Sequence, residues 1–337
     1  MSTQSLDPVL IIGGAGMVGA QAAGMLRRFH PTLPIAIGGR NIAKAEAVAR
    51  DVGGAEAVQV DTGRRGLGLP AGARYSAVAV FFKDDTLNAL RFAQAEGIPH
   101  ISISSGSFEV GPEMALYIHN AGRAPVLMAS NWLAGAATLP TLHFARAFRS
   151  IDSIEIAAVL DEQDMGGPAA AADFERLTSA APNPLFLQGG RWTWVMNGEA
   201  TRTVTDVDGT EVTAQGYAPL DVLSLAGATD AQSIRFDLVY GESASRRQGA
   251  PFSTAIMIEI AGEKTDGTRA RVRHELVHPQ GQAPLTALGV TLAIERLLGL
   301  AGGAAVAPGL YLPEVLIDPA YMVQRLEEIG TEIRQVR

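Results

Sequence analysis

Near its start the chain reads Gly13-Gly14-Ala15-Gly16-Met17-Val18-Gly19, a G-x-G-x-x-G run with one further glycine before it. Glycines at this spacing have separate tasks when a strand precedes them and a helix follows. Gly14 permits the sharp turn, Gly16 has no Cβ to hold the backbone away from a pyrophosphate, and Gly19 lets the helix approach the sheet. The helix start adds unbonded N–H groups and a partial positive charge. The flanks fit this context, with Val9-Leu10-Ile11-Ile12 before the glycines and Ala20, Ala22, Ala23 and Leu26 after them. The run predicts a dinucleotide site built from Gly13, Gly14, Ala15, Gly16, Met17 and Val18; the alternative is a tight strand-to-helix turn with no ligand.

The next strand narrows the cofactor. Ile35-Ala36-Ile37 ends in Gly38-Gly39-Arg40-Asn41, where an NAD-selective site usually presents Asp or Glu to the ribose 2′-hydroxyl. A guanidinium there can pair with a 2′-phosphate and stack on adenine, so Gly39, Arg40 and Asn41 predict NADP(H) rather than NAD. Asn41 is also placed to cap the following helix, Ile42 to Arg50, and Lys44 reads as a surface residue. A third strand ends at Asp61, which either meets the adenine amino group or is an exposed loop carboxylate. The fourth, Ala77-Val78-Ala79-Val80-Phe81-Phe82, is apolar throughout, as a parallel strand covered on both faces must be. Ligands bind beyond the carboxyl ends of such strands, so Phe82, Lys83, Asp84, Ser104 and Ser105 are expected at the cofactor and substrate cleft.

Hydride transfer belongs to a nicotinamide, and the protein must supply or accept a proton. Lys83 follows the buried fourth strand and is the expected general acid, with Asn131 and Asp164 as further catalytic candidates. Six histidines and Tyr240 are other possible donors. His274 and His278 share one strand face but have no evident carboxylate partner, so no metal is expected. The Asp161-to-Pro168 loop combines carboxylates with glycines and suits an amine or iminium substrate, or is a solvated turn. Arg246-Arg247 reads as a flexible basic loop or a clamp for a substrate carboxylate, and Trp192 and Trp194 as core or dimer contacts.

These residues need a scaffold of two parts. Strands are predicted at 8–12, 34–38, 57–60, 76–82, 99–104 and 125–129, alternating with helices as a doubly wound parallel sheet requires. Beyond Phe148 the pattern turns to alternating strands with glycine turns and one helix, Ala170 to Leu177; the tail returns to helix at Leu285 to Leu300 and Tyr321 to Ile333. The expected fold is α/β: a Rossmann sheet plus an α+β substrate and dimerisation domain with a mostly antiparallel sheet. The first domain spans 1–130 with helices of 284–337 packing back on it, and the second spans 131–283. The substrate is expected to enter between them. The second sheet would need a cover on its other face, which predicts a homodimer.

Composition narrows the partners. The 337 residues carry a net charge of −8, which argues against a nucleic-acid partner. There is no cysteine, which excludes disulfides and thiolate catalysis. The start MSTQSLD lacks the pattern of a leader, and no apolar run reaches the ~18 residues of a membrane helix, so a cytoplasmic protein acting on a small molecule is expected.

This layout resembles the saccharopine dehydrogenase-like NAD(P)-binding reductase family. The likeness rests on the glycine turn, the second strand ending in arginine, and the passage from Ala89-Leu90 to Gly97-Ile98-Pro99-His100-Ile101. It extends to the Ile260–Gly267 hairpin, Thr286-Ala287 opening a helix, Pro308-Gly309 and Pro313-Glu314. It departs where the family often has Asp and this chain has Ser104-Ser105, and where many members read G-x-x-P-G and this one reads Asn131-Trp132-Leu133-Ala134-Gly135. The resemblance implies an NADP(H)-dependent oxidoreductase acting on a small C=N or C=O substrate, with a tilt toward CH–NH chemistry. Reduction of an activated C=C bond, or a non-catalytic nucleotide-binding sensor or scaffold, are the alternatives.

Overall fold

The computed structural model of the chain describes residues 6–164 and 166–336, without the side chain of Asn197. Met165 of the expected substrate loop and most of the MSTQSLD segment lie outside the described residues. The chain divides into two units, Met1–Ser130 with Thr286–Ile317, and Asn131–Leu285 with Asp318–Arg337.

In the first unit strands and helices alternate: β1 (Val9–Ile12), α1 (Met17–Phe29), β2 (Ile35–Gly39), α2 (Ile42–Val52), β3 (Ala55–Gln59), β4 (Ala77–Val80), α3 (Asn88–Glu96), β5 (His100–Ser102), α4 (Val110–Ile118) and β6 (Pro125–Met128). All pairings are parallel. β1 lies between β2 and β4, with Ile12 opposite both Gly38 and Val80. Every residue of β1 and β4 is buried, the burial on both faces that their unbroken apolar sequences require.

The second unit begins with a 3-10 turn at Trp132–Gly135, followed by α5 (Thr138–Ala145), the long β7 (Phe148–Asp161), α6 (Pro168–Ala180), β8 (Leu185–Gln188), β9 (Arg191–Trp194), β10 (Thr201–Thr205) and β11 (Glu211–Gly216). Then come α7 (Asp221–Ala228), β12 (Ser233–Gly241), α8 (Ala244–Arg247), β13 (Thr254–Lys264) and β14 (Arg269–His278). The helix α9 (Ala283–Leu297) leads to β15 (Gly309–Tyr311) and α10 (Pro313–Leu316), and the chain ends with α11 (Pro319–Glu328) and β16 (Glu332–Val336). β15 adds a seventh strand to the first sheet, giving the order β15-β6-β5-β4-β1-β2-β3. The second sheet has nine strands, mixed in direction: β12 and β7 run parallel, and the β13, β14 and β16 pairings are antiparallel.

The C-terminal segment departs from expectation. The predicted helix over Tyr321–Ile333 stops at Glu328, and Glu332–Val336 is a strand. Thr331 follows the turn at Gly330, whose φ is +92°. The strand pairs with β14, so residues 318–337 belong to the second unit rather than packing back on the first. The Ile-x-x-x-Ile spacing of this segment fits a helix locally; a strand edge distant in sequence overrides it.

The helix content of the second unit also exceeds the single helix expected. α7 lies on β12 and β8, and α5 packs on α7 and α11. Part of the second sheet carries an ion-pair lattice instead of an uncovered apolar face. Glu155 and Glu259 stand opposite each other on β7 and β13, a like-charge pairing that is unfavourable alone. Arg271 bridges the two, and Arg202 joins Glu155 to the buried Asp237, which also receives Arg235. A face paired in this way has no need of a second copy to cover it.

The β1-to-α1 connection has little tolerance. A Cβ on Gly19 would stand 2.5 Å from the carbonyl oxygen of Gly13 and 2.8 Å from Gly14 Cα. Backbone cannot yield there cheaply, so Gly19→Ala is expected to cost ~1–3 kcal/mol in urea denaturation. Gly24→Ala, on the same helix with nothing within 4 Å, should be neutral or stabilise by up to ~1 kcal/mol. Equal stabilities for the two variants would refute this account of the turn.

Candidate functional site

The glycine turn separates into glycines that the fold needs and one that it does not. Gly13 has φ +86°, and its amide donates to the Gly38 carbonyl at 2.9 Å. A Cβ on Gly14 would be 2.8 Å from Ile11 O. Gly16, at the N-cap of α1, is exposed with φ −83°, and a Cβ there would meet only Gly13 O, at 3.2 Å. Packing and backbone conformation therefore give weak reason for glycine at 16, whereas an approaching phosphate gives a strong one. The first turn of α1 holds no acidic side chain and no side-chain cap, so its amides remain available to an anion. Ala15, Met17 and Val18 border this open side, and Met17 is 53% exposed.

Beyond β2, Arg40 is exposed and its side chain has no partner among the described residues. A Cβ added to Gly39 would meet nothing within 4 Å, so the approach to Arg40 is open. Asn41 caps α2, its Oδ1 accepting from the Lys44 amide at 3.1 Å. The amide end of the Asn41 side chain is left for other contacts. Asp61 is exposed and its Oδ1 accepts from the Gly63 amide at 2.9 Å, a turn contact that leaves the other oxygen available.

The ends of β4 and β5 hold more than the sequence suggests. Phe82 lies against Gly13 and with Lys83 lines a hollow of about 270 Å³, open mouth included, whose wall also holds His100, Ser102, Ser104, Ser105 and Glu113. Lys83, only 15% exposed, donates from Nζ to Ser105 Oγ at 2.9 Å and stands 3.8 Å from the carboxylates of Glu109 and Glu113. Ser105 Oγ donates in turn to Glu113, whose other oxygen accepts from Ser102 Oγ at 3.0 Å. Asp84 is committed elsewhere: it caps α3, accepting from the Ala89 amide at 2.8 Å and from Thr86. Ser104 is buried. Glu113 and Ser102 were missed by sequence reasoning, whereas His100 is one of the six histidines it offered; the available signal for Glu113 was a lone acid in the otherwise apolar stretch Val110–Ile118.

The remaining candidates belong to the second unit, where each sits in a buried network. Asn131 donates to Thr138 Oγ1 at 2.8 Å and Ser224 Oγ at 2.9 Å, while its own buried Oδ1 has no partner. Asp221 accepts from the Trp132 amide and Thr138 Oγ1, each at 2.6 Å, and burial pushes its carboxyl up to about 6. This fixes the entry turn, in which Leu133 and Ala134 have φ of 50° and 54°. Asp164 accepts from the Gln282 amide at 2.6 Å, and burial raises it to about 6. Arg246 and Arg247 are not flexible: they lie on α8, Arg246 on Asp161 and Glu162, and Arg247 on Asp206 and Asp208. Those pairs commit the arginines and the acidic loop to each other rather than to a substrate. His274 stacks on Phe144 at 3.8 Å, and His278 meets Thr331 at 3.0 Å. Among the described residues no group of three or more His, Cys, Asp or Glu could hold a metal. Trp192 and Trp194 are half-exposed, so they are not core. No helix among the described residues is long and apolar enough to cross a membrane.

Comparison with known proteins adds the architecture's kin. No family model and no curated protein matches the chain. Among solved structures, the apo, histidine-tagged saccharopine dehydrogenase (L-Glu forming) from Saccharomyces cerevisiae aligns over 98% of this chain and 100% of its own, with a TM-score of 0.70 at 12% identity. The fold is that of saccharopine dehydrogenase. An amine dehydrogenase from Mycobacterium smegmatis aligns over 94% of this chain and 97% of its own, with a TM-score of 0.53 at 11% identity. The saccharopine dehydrogenase-like architecture expected from the glycine turn and the C-terminal segments is thus present; the Pro308–Glu314 segment, which reads as a loop in sequence, carries the strand β15.

His100 gives this site a pH signature. Burial drives its imidazole down to about 4, against a smaller opposing effect of Asp84. The neutral ring favours the folded state, so its contribution is complete above the unfolded value of 6.5 and is lost as pH falls through about 4. Between pH 7.5 and 4.5 wild type should therefore lose ~2–3 kcal/mol more than His100→Gln, which carries no titrating group there. Parallel urea-denaturation curves for both proteins at the two pH values test this; equal losses would refute it.

Proposed function

We propose that the chain is an NADP(H)-dependent oxidoreductase acting on a small C=N or C=O substrate. The observation that carries the reading is Gly16, exposed at the unblocked start of α1, where the fold itself has little use for a glycine. Arg40, exposed and unpaired after β2, supports NADP(H) over NAD, because it stands where an acid would otherwise repel a 2′-phosphate. The fold shared with a saccharopine dehydrogenase and an amine dehydrogenase supports CH–NH chemistry.

When bound, the cofactor supplies the hydride; the chain's own residues bind, orient and handle the proton. In this reading the turn from Gly13 to Val18 holds the pyrophosphate with the amides that open at the start of α1, Gly39, Arg40 and Asn41 take the 2′-phosphate, and Asp61 receives the adenine amino group. Phe82 and Ser104 border the nicotinamide, and Lys83 Nζ holds the proton given to the substrate heteroatom. Asn131 and Asp164, candidates for chemistry by sequence, are assigned to anchoring their own loops, because the Asn131 amide nitrogen and the Asp164 Oδ2 are already engaged there. We further infer a cytoplasmic homodimer, supported by the exposed row Trp192, Trp194 and Met196, with no nucleic-acid partner.

Calorimetry tests the cofactor assignment. Wild type is expected to bind NADPH at least about tenfold more tightly than NADH, from a charge-assisted contact worth ~1.5–3 kcal/mol, and Arg40→Ala to lose that preference. Gly16→Val should abolish binding of both cofactors with thermal stability retained. Equal wild-type affinities would remove the NADP(H) assignment, and a stable Gly16→Val that binds normally would reduce the motif to a turn. Sedimentation velocity tests assembly: a dimer is expected at micromolar concentration, with Trp192→Ser/Trp194→Ser shifted toward monomer. A wild-type monomer would reject the dimer.

A further inference from the structure

Cations in this chain are almost all arginine: lysine provides three of 27, at positions 44, 83 and 264. Lys44 is exposed and Lys264, like Lys83, is partly buried; of the three, Lys83 alone lines the hollow beyond β4 and β5. Arginine would satisfy a purely structural ion pair at least as well, but it does not give up a proton. A lysine here is chemically distinct.

The hydrogen bonds around it have fixed directions. An ammonium only donates, so Ser105 Oγ accepts from Nζ at 2.9 Å, and its single hydrogen goes to Glu113 Oε1. Glu113, 3% exposed, has its second oxygen filled by Ser102. Ser105 is itself held, its amide donating to Ser130 Oγ at 3.0 Å. The chain Lys83–Ser105–Glu113 therefore allows one arrangement, and Lys83 so held lines the hollow.

The other charges nearby are accounted for. Glu109 also stands 3.8 Å from Nζ, but its Oε2 accepts from the Gly106 amide at 2.9 Å. Asp84 caps α3. His100, on the β5 wall, is neutral above about 4 because of its burial. Glu113 is the most buried of the carboxylates that face Nζ, where solvent screens it least.

We propose that Glu113, acting through the hydroxyl of Ser105, pairs with Lys83 and aims its ammonium into the hollow. Glu113 is then the positioning residue for the proton donor. The assignment of Lys83 as donor rests on the oxidoreductase reading; the pairing with Glu113 does not. In the step served, one N–H bond of Nζ breaks, the proton joins the substrate nitrogen or oxygen, Nζ keeps the electron pair, and solvent restores the proton.

The test uses full-length protein labelled with ¹³C-lysine, whose three Cε signals are assigned with Lys44→Arg and Lys264→Arg. In Glu113→Gln the titration midpoint of the Lys83 signal should move to lower pH by about one unit or more, while the other two stay in place. Ser105→Ala should move it the same way by less, and decides the matter should Glu113→Gln fail to fold. An unmoved Lys83 midpoint in a folded variant overturns the pairing. The second arm is the pH profile of kcat/KM with NADPH and a panel of imines and carbonyl compounds. The alkaline limb of Glu113→Gln should fall to lower pH by the same interval, with NADPH affinity within about twofold of wild type. A limb that stays put while the midpoint moves overturns the positioning role for a proton donor. A wild type that reduces nothing on the panel overturns the donor role together with the oxidoreductase reading, and the midpoint then decides the pairing by itself.

Discussion

The approach of α1 to the end of β1 is the constraint from which the rest of the first unit follows. β1 is central and buried on both faces, so the chain leaving it must turn at once and return as a helix packed at backbone distance. Gly19 stands over Gly13 and Gly14 with no room for a Cβ, and Gly13 needs a left-handed φ. Meeting that demand leaves the amides at the start of α1 unblocked at the carboxyl edge of the sheet. It also sets the exit of the neighbouring strand. Ile12 pairs with Val80, so Phe82 comes to rest on Gly13, and Lys83 follows one residue later into the hollow.

Charge is handled differently in the two units, and the difference is chemical. In the second sheet, Asp237 and Glu275 are buried and each receives two arginines, Arg202 and Arg235 for the first, Arg273 and Arg334 for the second. Planar guanidinium groups span neighbouring strands with little loss of freedom per bond and keep their charge at any physiological pH. Such a lattice suits a scaffold. Around Glu113 the cation is a lysine and the link passes through a serine hydroxyl, an arrangement in which both the ammonium and the hydroxyl carry a movable proton. A buried ion pair of this kind is a weak contributor to net stability, because desolvation offsets most of the attraction. Its cost is easier to understand where the charge has work to do.

Much of the fold was legible because its signals are local. Apolar strands such as Ala77–Val80, the Asp208-Gly209 and Asp266-Gly267 turns, and the glycine run announce themselves within a few residues. The misread parts depend on distant partners. Glu332–Val336 is a strand because β14 offers a free edge, and β15 is three residues long and exists only beside β6. α7 hid within a stretch whose Asp221 and Ser224 suggest a loop, yet both side chains face the interior and complete the Asn131 network. The same holds for the site. The residues of the glycine turn could be named from sequence because backbone conformation dictates them. Glu113 could not, because its relation to Lys83 crosses thirty positions and depends on α4 folding over the end of β5.

The structural likeness at 12% identity sharpens this division. What the shared fold asks of this chain is what a doubly wound sheet cannot do without: buried central strands, a glycine where helix meets strand, and a cleft beyond the carboxyl ends. None of these specifies a substrate, since one fold hosts many chemistries. The side chains at the strand ends are the free choices, and here they are particular. Ser104-Ser105 follow the fifth strand, and a carboxylate is supplied behind them by Glu113, one helix further along the chain. The negative charge sits on a helix behind a serine. That places it 3.8 Å from Lys83 Nζ, with both groups in the wall of one hollow.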